Sequence, residues 1–450
     1  MMNQLPSRLA LLAASLLLSG AALAQPTVST VAGSGTQGFQ NGPALRAQLN
    51  SPRGQALDAQ GNLYIADTNN NVIRRVDAQT GLMSTFAGSG TFGYVDGNTA
   101  VAQFRGPRTV LVRPDGTLLI ADTGNNAIRQ VDANGIVTTV AGGVAGYLDG
   151  PGLAARFAGP IGLAVVSNGD IYVGEAGNVR IRRIQTDATG NVLVSTFAGD
   201  GVMGYVDGPA TSARFREPQN LTADRAGNLY IADRSNHRIR VITPAGQVST
   251  LAGTGSAGYQ DGPAATSRFS SPIGVVVGSD GTVYVTDRDN YRLRAISPAG
   301  QVSTVAGDGT NGFADGPAAA AQLGVGQQLS LDGAGRLYVA DLTNHRIRRL
   351  AGLPLAIAAG SPAASALQFS VWPNPTTTAA QLRVELPEAA TVSVVLLDAL
   401  GRLVQHVLPP TRRAAGPYTV PLATQALPAG LYLVCLRLNG QPHMQRLWRE

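Results

Sequence analysis

The sequence predicts an all-β fold, and three observations support this prediction. The 450 residues include 55 Gly and 26 Pro but only 2 Trp, 12 Tyr and 10 Phe, a composition typical of short strands joined by tight turns. A unit of about 54 residues recurs six times. Within each unit, short runs of alternating apolar and β-branched residues are separated by Asn, Asp and Gly turns.

The charged residues narrow the possible functions. All 34 basic residues are Arg, so chemistry that needs a lysine amine, such as a Schiff base or a Walker-type phosphate loop, is excluded. Residues 26–350 carry 26 Arg and 24 acids, a net charge of +2, and residues 351–450 carry 7 Arg and 4 acids, a net charge of +3. Neither segment contains a basic run, so we expect no nucleic-acid partner.

The first 24 residues have the pattern of a secretory signal peptide. Arg8 precedes a ten-residue apolar stretch at 9–18, and Ala22-Leu23-Ala24 is a typical cleavage sequence. No later stretch approaches the roughly 18 apolar residues of a membrane helix. The sequence therefore predicts an exported chain that begins at Gln25 and has no transmembrane segment.

Each repeat contains an acid, an Asn three residues later and an Arg seven residues after the acid. In a hairpin, this spacing places the acid and the Arg diagonally adjacent on one face. We expect a structural ion pair in each copy, and the Asn to form the turn. The six pairs are Asp67–Arg74, Asp122–Arg129, Glu175–Arg182, Asp233–Arg240, Asp287–Arg294 and Asp341–Arg348.

The pattern of each copy predicts four short antiparallel strands. Four-stranded units repeated around a ring are the blades of a β-propeller. The fourth strand contains a Ser/Thr-Thr-x-Ala-Gly run, which also occurs at residues 29–33, before the first blade, and is missing after Arg348. The N-terminal strand therefore completes the last blade of a six-bladed propeller spanning residues 25–350, which removes two open sheet edges.

The connections between blades share the pattern Gly-aromatic-x-Asp/Asn-Gly, usually followed by Pro. The Pro predicts one short helical turn, with the preceding Asp capping it. Symmetry places the aromatic residues at one radius, either as a stacking surface for a glycan or peptide or as packing between blades. They are Phe39, Tyr94, Tyr147, Tyr205, Tyr259 and Phe313.

Other reactive residues give weaker signals. His237 and His345 share one repeat position in two different blades, which does not by itself make a metal site. The only cysteine, Cys435, lies in an alternating apolar run and is expected to be buried. Neither a G-x-S-x-G nor an H-E-x-x-H motif occurs, so we predict no catalytic residues and no resident metal.

The tail has a different composition. Residues 351–368 are rich in Ala, Gly, Pro and Ser and are predicted to form a linker. Residues 369–450 contain about seven alternating runs and predict a small β-sandwich.

These motifs resemble two known families. The six copies resemble NHL repeats, with Glu175 replacing Asp and a longer hairpin at 185–193 in the third copy. The tail, with W-P-N-P, L-L-D-A-L-G-R and L-P-A-G-L-Y-L-V, resembles the type A C-terminal sorting domain of type IX secretion cargo, with Trp372 in place of the usual Tyr. The resemblance implies that the type IX secretion machinery is a partner, and that the protein passes through the periplasm to be secreted or attached to the outer cell surface.

Two functional hypotheses follow. The first is a non-catalytic binding scaffold without a cofactor, whose ligand is a protein, peptide or glycan. The alternative is a hydrolase or lyase with a divalent metal in the central channel, as in some six-bladed propellers of related architecture. The central ligands of those enzymes vary between blades, whereas the acids here repeat uniformly, which favours the first hypothesis.

Overall fold

The computed structural model describes residues 25–353, 368–374, 376–386, 389–398, 403–438 and 441–450. The predicted signal peptide and most of the predicted linker lie outside these residues. The chain divides into two compact units, and the division falls between residues 353 and 368.

The first unit is a closed ring of six antiparallel sheets, or blades. The innermost strands contact one another around the whole ring and surround a central channel. In the order of blades 1 to 6 they are Pro52–Leu57, Thr109–Val112, Pro160–Val165, Pro218–Ala223, Pro272–Val277 and Gly326–Leu331. This arrangement confirms the predicted six-bladed propeller.

The second and third strands of each blade form a hairpin. The second strands are Leu63–Asp67, Leu118–Asp122, Ile171–Glu175, Leu229–Asp233, Val283–Asp287 and Leu337–Asp341. The third strands are Val72–Val76, Ala127–Val131, Arg180–Thr186, Arg238–Ile242, Arg292–Ile296 and Arg346–Ala351. In blades 1, 2, 4 and 5 the turn between them is a short 3-10 helix, at Thr68–Asn70, Thr123–Asn125, Arg234–Asn236 and Arg288–Asn290.

The fourth strands are Leu82–Ala87, Ile136–Gly142, Val192–Ala198, Gln247–Ala252, Gln301–Ala306 and, for blade 6, Thr27–Ala32. The N-terminal strand pairs antiparallel with Arg346–Ala351, from Thr27 opposite Ala351 to Ala32 opposite Ile347. The predicted closure of the last blade by the N-terminus is therefore confirmed.

Each blade also has a fifth, outermost strand that we did not predict. These two-residue strands pair with the fourth strands and are Gly42–Pro43, Gly97–Asn98, Gly150–Pro151, Gly208–Pro209, Gly262–Pro263 and Gly316–Pro317. They replace the start of the helical turn expected in each connection. Gly42, with φ of 132°, and Pro43 are extended, and only one hydrogen-bonded turn follows, in which the Pro43 carbonyl accepts from the Ala47 amide at 2.9 Å.

Each connection ends in a large apolar side chain that is buried between neighbouring blades. These side chains are Leu49, Phe104, Phe157, Phe215, Phe269 and Leu323. Phe104, for example, shares one buried core with Tyr64 of blade 1 and Val110 of blade 2. The connections and the turns between second and third strands lie on one face of the ring, the upper face. The turns between first and second strands and those between third and fourth strands lie on the opposite, lower face.

The second unit is the predicted β-sandwich of seven strands. One sheet contains Gln368–Trp372, Ala379–Leu386 and Gly416–Ala423, and the other contains Leu403–Arg413, Ala390–Asp398, Gly430–Leu438 and Gln441–Arg449. Leu382 of the first sheet and Val394 and Leu436 of the second share one core. Cys435 is buried, as expected.

Candidate functional site

The six acid–Arg pairs form buried ion pairs in the second-to-third-strand hairpins. In each blade, Nη1 of the Arg donates to the carboxylate at 2.7 to 3.0 Å, and no side chain of the twelve is more than 1% exposed. The hairpin register places Arg240, for example, opposite Ile231, two residues from Asp233 on the neighbouring strand. These twelve groups have no exposed surface to offer a ligand.

A second carboxylate, which the sequence analysis missed, binds the same Arg in blades 2 to 6. It comes from the connection, where we expected the Asp to cap a helical turn. Instead, the Asp accepts from Nη2 at 2.5 to 2.7 Å, and Asp96 also accepts the Thr139 amide of the fourth strand at 3.0 Å. These residues are Asp96, Asp149, Asp207, Asp261 and Asp315. In blade 1 the equivalent residue is Asn41, and Arg74 Nε is buried without a partner.

Burial dominates the electrostatics of the inner carboxylates. It raises the pKa of Asp122 and of Asp287 to about 6, against the lowering influence of hydrogen bonds and of the paired Arg. Burial likewise lowers the pKa of Arg74. Removing two charges from water can cost more than their attraction returns, so burial of these pairs does not by itself imply a net gain in stability.

The repeat Asn residues have a different role from the one expected. Asn236 Nδ2 donates to Asp233 and to the Gly204 carbonyl of the connection, each at 2.8 Å. The residue with left-handed backbone is the next one, such as His237 with φ of 52°. His237 Nδ1 accepts the Ser271 amide of the next blade at 3.1 Å, and His345 Nδ1 accepts the Ser51 amide at 3.0 Å. Both imidazoles therefore join adjacent blades.

The six predicted aromatic residues lie on the upper face, half-exposed, each near the buried Arg of its blade. The hydroxyl groups of Tyr147, Tyr205 and Tyr259 each form a hydrogen bond of 2.8 to 3.0 Å with the hydroxyl group of a Thr in the fourth strand. In blades 3 to 6 a further guanidinium lies over the ring, 3.7 to 4.0 Å from the centroid, from Arg180, Arg238, Arg292 and Arg346. The gaps between blades are filled by the buried Phe and Leu side chains instead.

Apolar neighbours extend the aromatic residues only in blades 2, 3 and 4. Ten large apolar side chains there are 38 to 65% exposed: Phe92, Tyr94, Val95, Val144, Tyr147, Leu148, Val202, Met203, Tyr205 and Val206. We call this surface the apolar arc. The x position, directly after the aromatic residue, distinguishes these blades in the sequence. It is Val95, Leu148 and Val206 in blades 2 to 4 but Gln40, Gln260 and Ala314 in the other blades.

The central channel widens toward the lower face into a funnel of about 920 Å³. Its wall combines apolar side chains such as Leu111, Val165 and Val276 with polar ones such as Gln55, Asn220 and Gln328. The carboxylates in this lining are Asp115 and Asp170, and Asp170 is ion-paired with Arg183. Among the described residues, no three His, Cys, Asp or Glu side chains are grouped so as to hold a metal ion.

Family comparisons match both parts of the chain. Residues 157–184 match the NHL repeat, residues 194–297 match the Teneurin NHL domain, and residues 370–448 match the secretion system C-terminal sorting domain. These matches confirm an NHL-repeat propeller that carries a type IX secretion sorting domain. The protein is therefore cargo of that system, secreted or displayed at the cell surface. No helix within the described residues has the length and apolar character needed to cross a membrane.

Similar proteins occur in Arabidopsis thaliana and in Bos taurus. The chain is 30% identical over 284 residues to the chloroplastic Protein SUPPRESSOR OF QUENCHING 1 of Arabidopsis thaliana, which covers 59% of this chain and 27% of that protein. It is 29% identical over 304 residues to NHL repeat-containing protein 2 of Bos taurus, covering 58% of this chain and 40% of that protein. The chain thus spans well under half the length of these relatives.

Among solved structures, an auxiliary nutrient binding protein from Bacteroides thetaiotaomicron superposes with a TM-score of 0.55. The match covers 72% of this chain and 76% of that chain, at 17% sequence identity. This likeness supports the propeller fold.

Proposed function

We propose that the propeller is a non-catalytic binding scaffold, exported to the cell surface or beyond, that holds its ligand on the apolar arc of blades 2 to 4. The main observation in support of this proposal is the arc itself. Soluble proteins seldom expose contiguous apolar patches, and those that do commonly use them as interaction sites. Here ten exposed apolar side chains lie in three consecutive connections, while in blades 1 and 5 the residue directly after the aromatic is Gln40 and Gln260.

The arc is also held in place before any ligand binds. Tyr147 Oη lies 2.9 Å from Thr196 Oγ1, and the Arg180 guanidinium lies 4.0 Å from the centroid of its ring. Tyr205 is fixed in the same way by Thr250 and Arg238. Because these side chains lose little freedom on binding, most of the contact energy remains available for affinity.

The chemistry of the arc favours a protein or peptide ligand over a glycan. Sugar hydroxyls need hydrogen-bonding partners beside the aromatic rings, whereas Val144, Val202 and Met203 offer only apolar contact. Aromatic residues, Met and stacked Arg are enriched in the surfaces with which proteins bind other proteins. We therefore assign an apolar peptide segment or protein surface as the ligand.

Peptide and glycan arrays test this assignment. The mature protein should bind peptides with apolar segments, and the triple variant Val95→Gln, Leu148→Gln, Val206→Gln should lose that binding. Gln occupies the same position in blades 1 and 5, so the triple variant is expected to fold. Binding confined to glycans would contradict the ligand assignment, and unchanged peptide binding by the variant would contradict the arc as the site.

Elemental analysis of the purified protein addresses the metal-dependent alternative. A scaffold that binds through the arc has no stoichiometric requirement for a divalent ion. Two results together would favour an enzyme with its site in the channel: one calcium or zinc ion per chain, and loss of a hydrolase or lyase activity when that ion is removed.

A further inference from the structure

The upper mouth of the central channel contains a cluster of four arginines from four different blades. Arg53 follows the Pro that begins the inner strand of blade 1, and Arg108 follows Pro107 and directly precedes the inner strand of blade 2. Arg234 and Arg288 are the first residues of the 3-10 turns in blades 4 and 5. Two unrelated repeat positions thus supply guanidinium groups to one mouth, a feature that the sixfold repeat does not require.

Contacts with the inner strands place these guanidinium groups around the channel. Arg53 Nη1 lies 3.5 Å from Gln327 of the inner strand of blade 6, and Arg234 Nη1 lies 3.3 Å from Glu217, which directly precedes the inner strand of blade 4. The pKa of Arg53 is lowered to about 10, chiefly by burial and then by the charges of Arg108, Arg288 and Arg234. Burial and the charge of Arg234 also lower the pKa of Arg108. Like charges gathered in a partly buried place repel one another and destabilise the unliganded protein.

Only two of these four charges are compensated. Arg234 pairs with Glu217 at 3.3 Å, and Arg288 pairs with Asp289 at 3.2 Å. Arg53 and Arg108 form no ion pair within the described residues, and the one hydrogen bond of the Arg53 guanidinium there is a 3.5 Å contact with Gln327. Four positive and two negative charges leave a net charge of +2 at the mouth.

The mouth is a cup rather than an open pore. Below the arginines, the hydroxyl of Thr109 in blade 2 donates to Asn220 of blade 4 at 3.3 Å. Beside them, Gln55 donates to the backbone of blade 6 at 2.9 and 3.1 Å. These polar side chains narrow the channel between the arginines and the lower funnel. We call the four arginines and this floor the arginine cup.

We propose that the arginine cup binds a doubly charged tetrahedral oxyanion, a phosphate ion or a phosphate monoester, with Arg53 and Arg108 as its principal ligands. The uncompensated charge of +2 matches a dianion. The planar guanidinium fork donates two parallel hydrogen bonds to oxygens of such a group. A nucleic-acid backbone fits less well, since each of its phosphodiesters carries one charge and the cup gathers its arginines at one point. This site lies apart from the apolar arc and does not depend on it.

Titration calorimetry and thermal melts of the mature protein with inorganic phosphate at low ionic strength test the proposal. Phosphate should raise the melting temperature of the parent. The double variant Arg53→Gln, Arg108→Gln should bind phosphate at least tenfold more weakly. Without phosphate it should melt at or above the temperature of the parent, because the repulsion is relieved. Arg113→Gln, which removes a partly buried Arg of the lower funnel, is the matched control and should keep the phosphate response.

Further arms separate the sources of the anion. Tighter binding of a phosphate monoester such as a sugar phosphate than of inorganic phosphate would identify the ligand as a phosphorylated molecule, and equal binding would identify the free ion. The proposal is overturned if phosphate leaves the parent unchanged or if the double variant keeps its response. It is also overturned if the double variant melts below the parent without phosphate, or if single-stranded DNA binds more tightly than either phosphate compound.

Discussion

In blades 2 to 6 each repeat arginine joins three parts of its blade, because its guanidinium binds the second strand, the connection and, through the connection Asp, the fourth strand. Arg240 contacts Asp233 at 2.8 Å and Asp207 at 2.5 Å, and Asp207 accepts the Thr250 amide at 3.1 Å. The sequence predicted the first contact, since seven residues separate the partners within one hairpin. It did not reveal the second, because 33 residues separate Asp207 from Arg240 and a Pro nearby favoured a helix cap.

The first prediction concerns this residue network. Asp233→Ala leaves Arg240 with a buried charge and one remaining carboxylate, and should lower the free energy of unfolding by about 3–5 kcal/mol. Asp287→Ala should have a similar effect, because the two blades have equivalent contacts. Asp207→Ala, at a carboxylate about one-third exposed, should cost about 1 kcal/mol. Urea unfolding of the three variants measures this order. Parent-like curves for both buried-site variants would show that the pairs are not structural.

The second prediction concerns pH. Burial lowers the pKa values of His237 and His345 below the ordinary value of 6.5, and each Nδ1 must stay unprotonated to accept an amide. The unfolded chain then binds more protons, so the stability from these residues is present above about pH 6.5 and is lost as pH falls through the folded pKa.

A double variant isolates the histidine effect. Asn71 and Asn126 accept the equivalent amides through Oδ1 in blades 1 and 2, so His237→Asn, His345→Asn should keep both hydrogen bonds. The melting temperature of the parent relative to this variant should fall between about pH 7 and pH 5. A constant difference over that range would contradict the assigned role.

At the scale of elements, the strands were predictable because six copies repeat the same alternation, and a register inferred in one blade transfers to the others. The outermost strands were not predictable, since two residues of Gly-Pro have no alternation and Pro alone favours a turn. Their pairing depends on the fourth strand beside them, as Gly42 opposite Met83 illustrates. The sequence shows the apolar x residues of blades 2 to 4, but their exposure could not be predicted, because it depends on how the connections fold back over the blades.

The third prediction concerns ring closure. Deleting residues 25–34 removes the five backbone pairs between Thr27–Ala32 and Arg346–Ala351, and also the buried Val28 and Ala32. At about 1 kcal/mol for each hydrogen bond, the loss should exceed about 5 kcal/mol and lower the melting temperature strongly. A shortened chain that melts like the parent would refute closure by the N-terminal strand.

At the scale of the whole molecule, the propeller and the tail have separate cores and, we expect, separate tasks. The core of the tail, around Leu382, Val394 and Leu436, is built from residues of the tail alone. The sequence showed both parts, because the repeat ends at Arg348 and the sorting motifs begin near Trp372. The boundary at residues 351–368 remains a prediction, since most of that segment lies outside the described residues.

The fourth prediction concerns export. A chain that ends after Leu353 should fold with a melting transition like that of the propeller in the full-length protein, because the propeller ring is complete without the tail. Expressed in the native host, it should accumulate in the periplasm, whereas the full chain reaches the surface or the medium. Immunoblots of cell fractions measure the distribution. Recovery of the shortened chain outside the cells would contradict the sorting role of the tail.

The most direct test of the binding function is the dissociation constant of the mature protein for its best array-selected peptide, compared among three proteins. The parent and the control variant Leu82→Gln, Ile136→Gln, Leu193→Gln should bind equally well, since these exposed residues lie outside the arc and Gln occupies their position in blades 4 and 5. The arc variant Val95→Gln, Leu148→Gln, Val206→Gln should bind at least tenfold more weakly, a loss of about 1.4 kcal/mol or more. Equal affinity of the arc variant and the parent, or an equal loss in the control, would contradict a ligand site on blades 2 to 4.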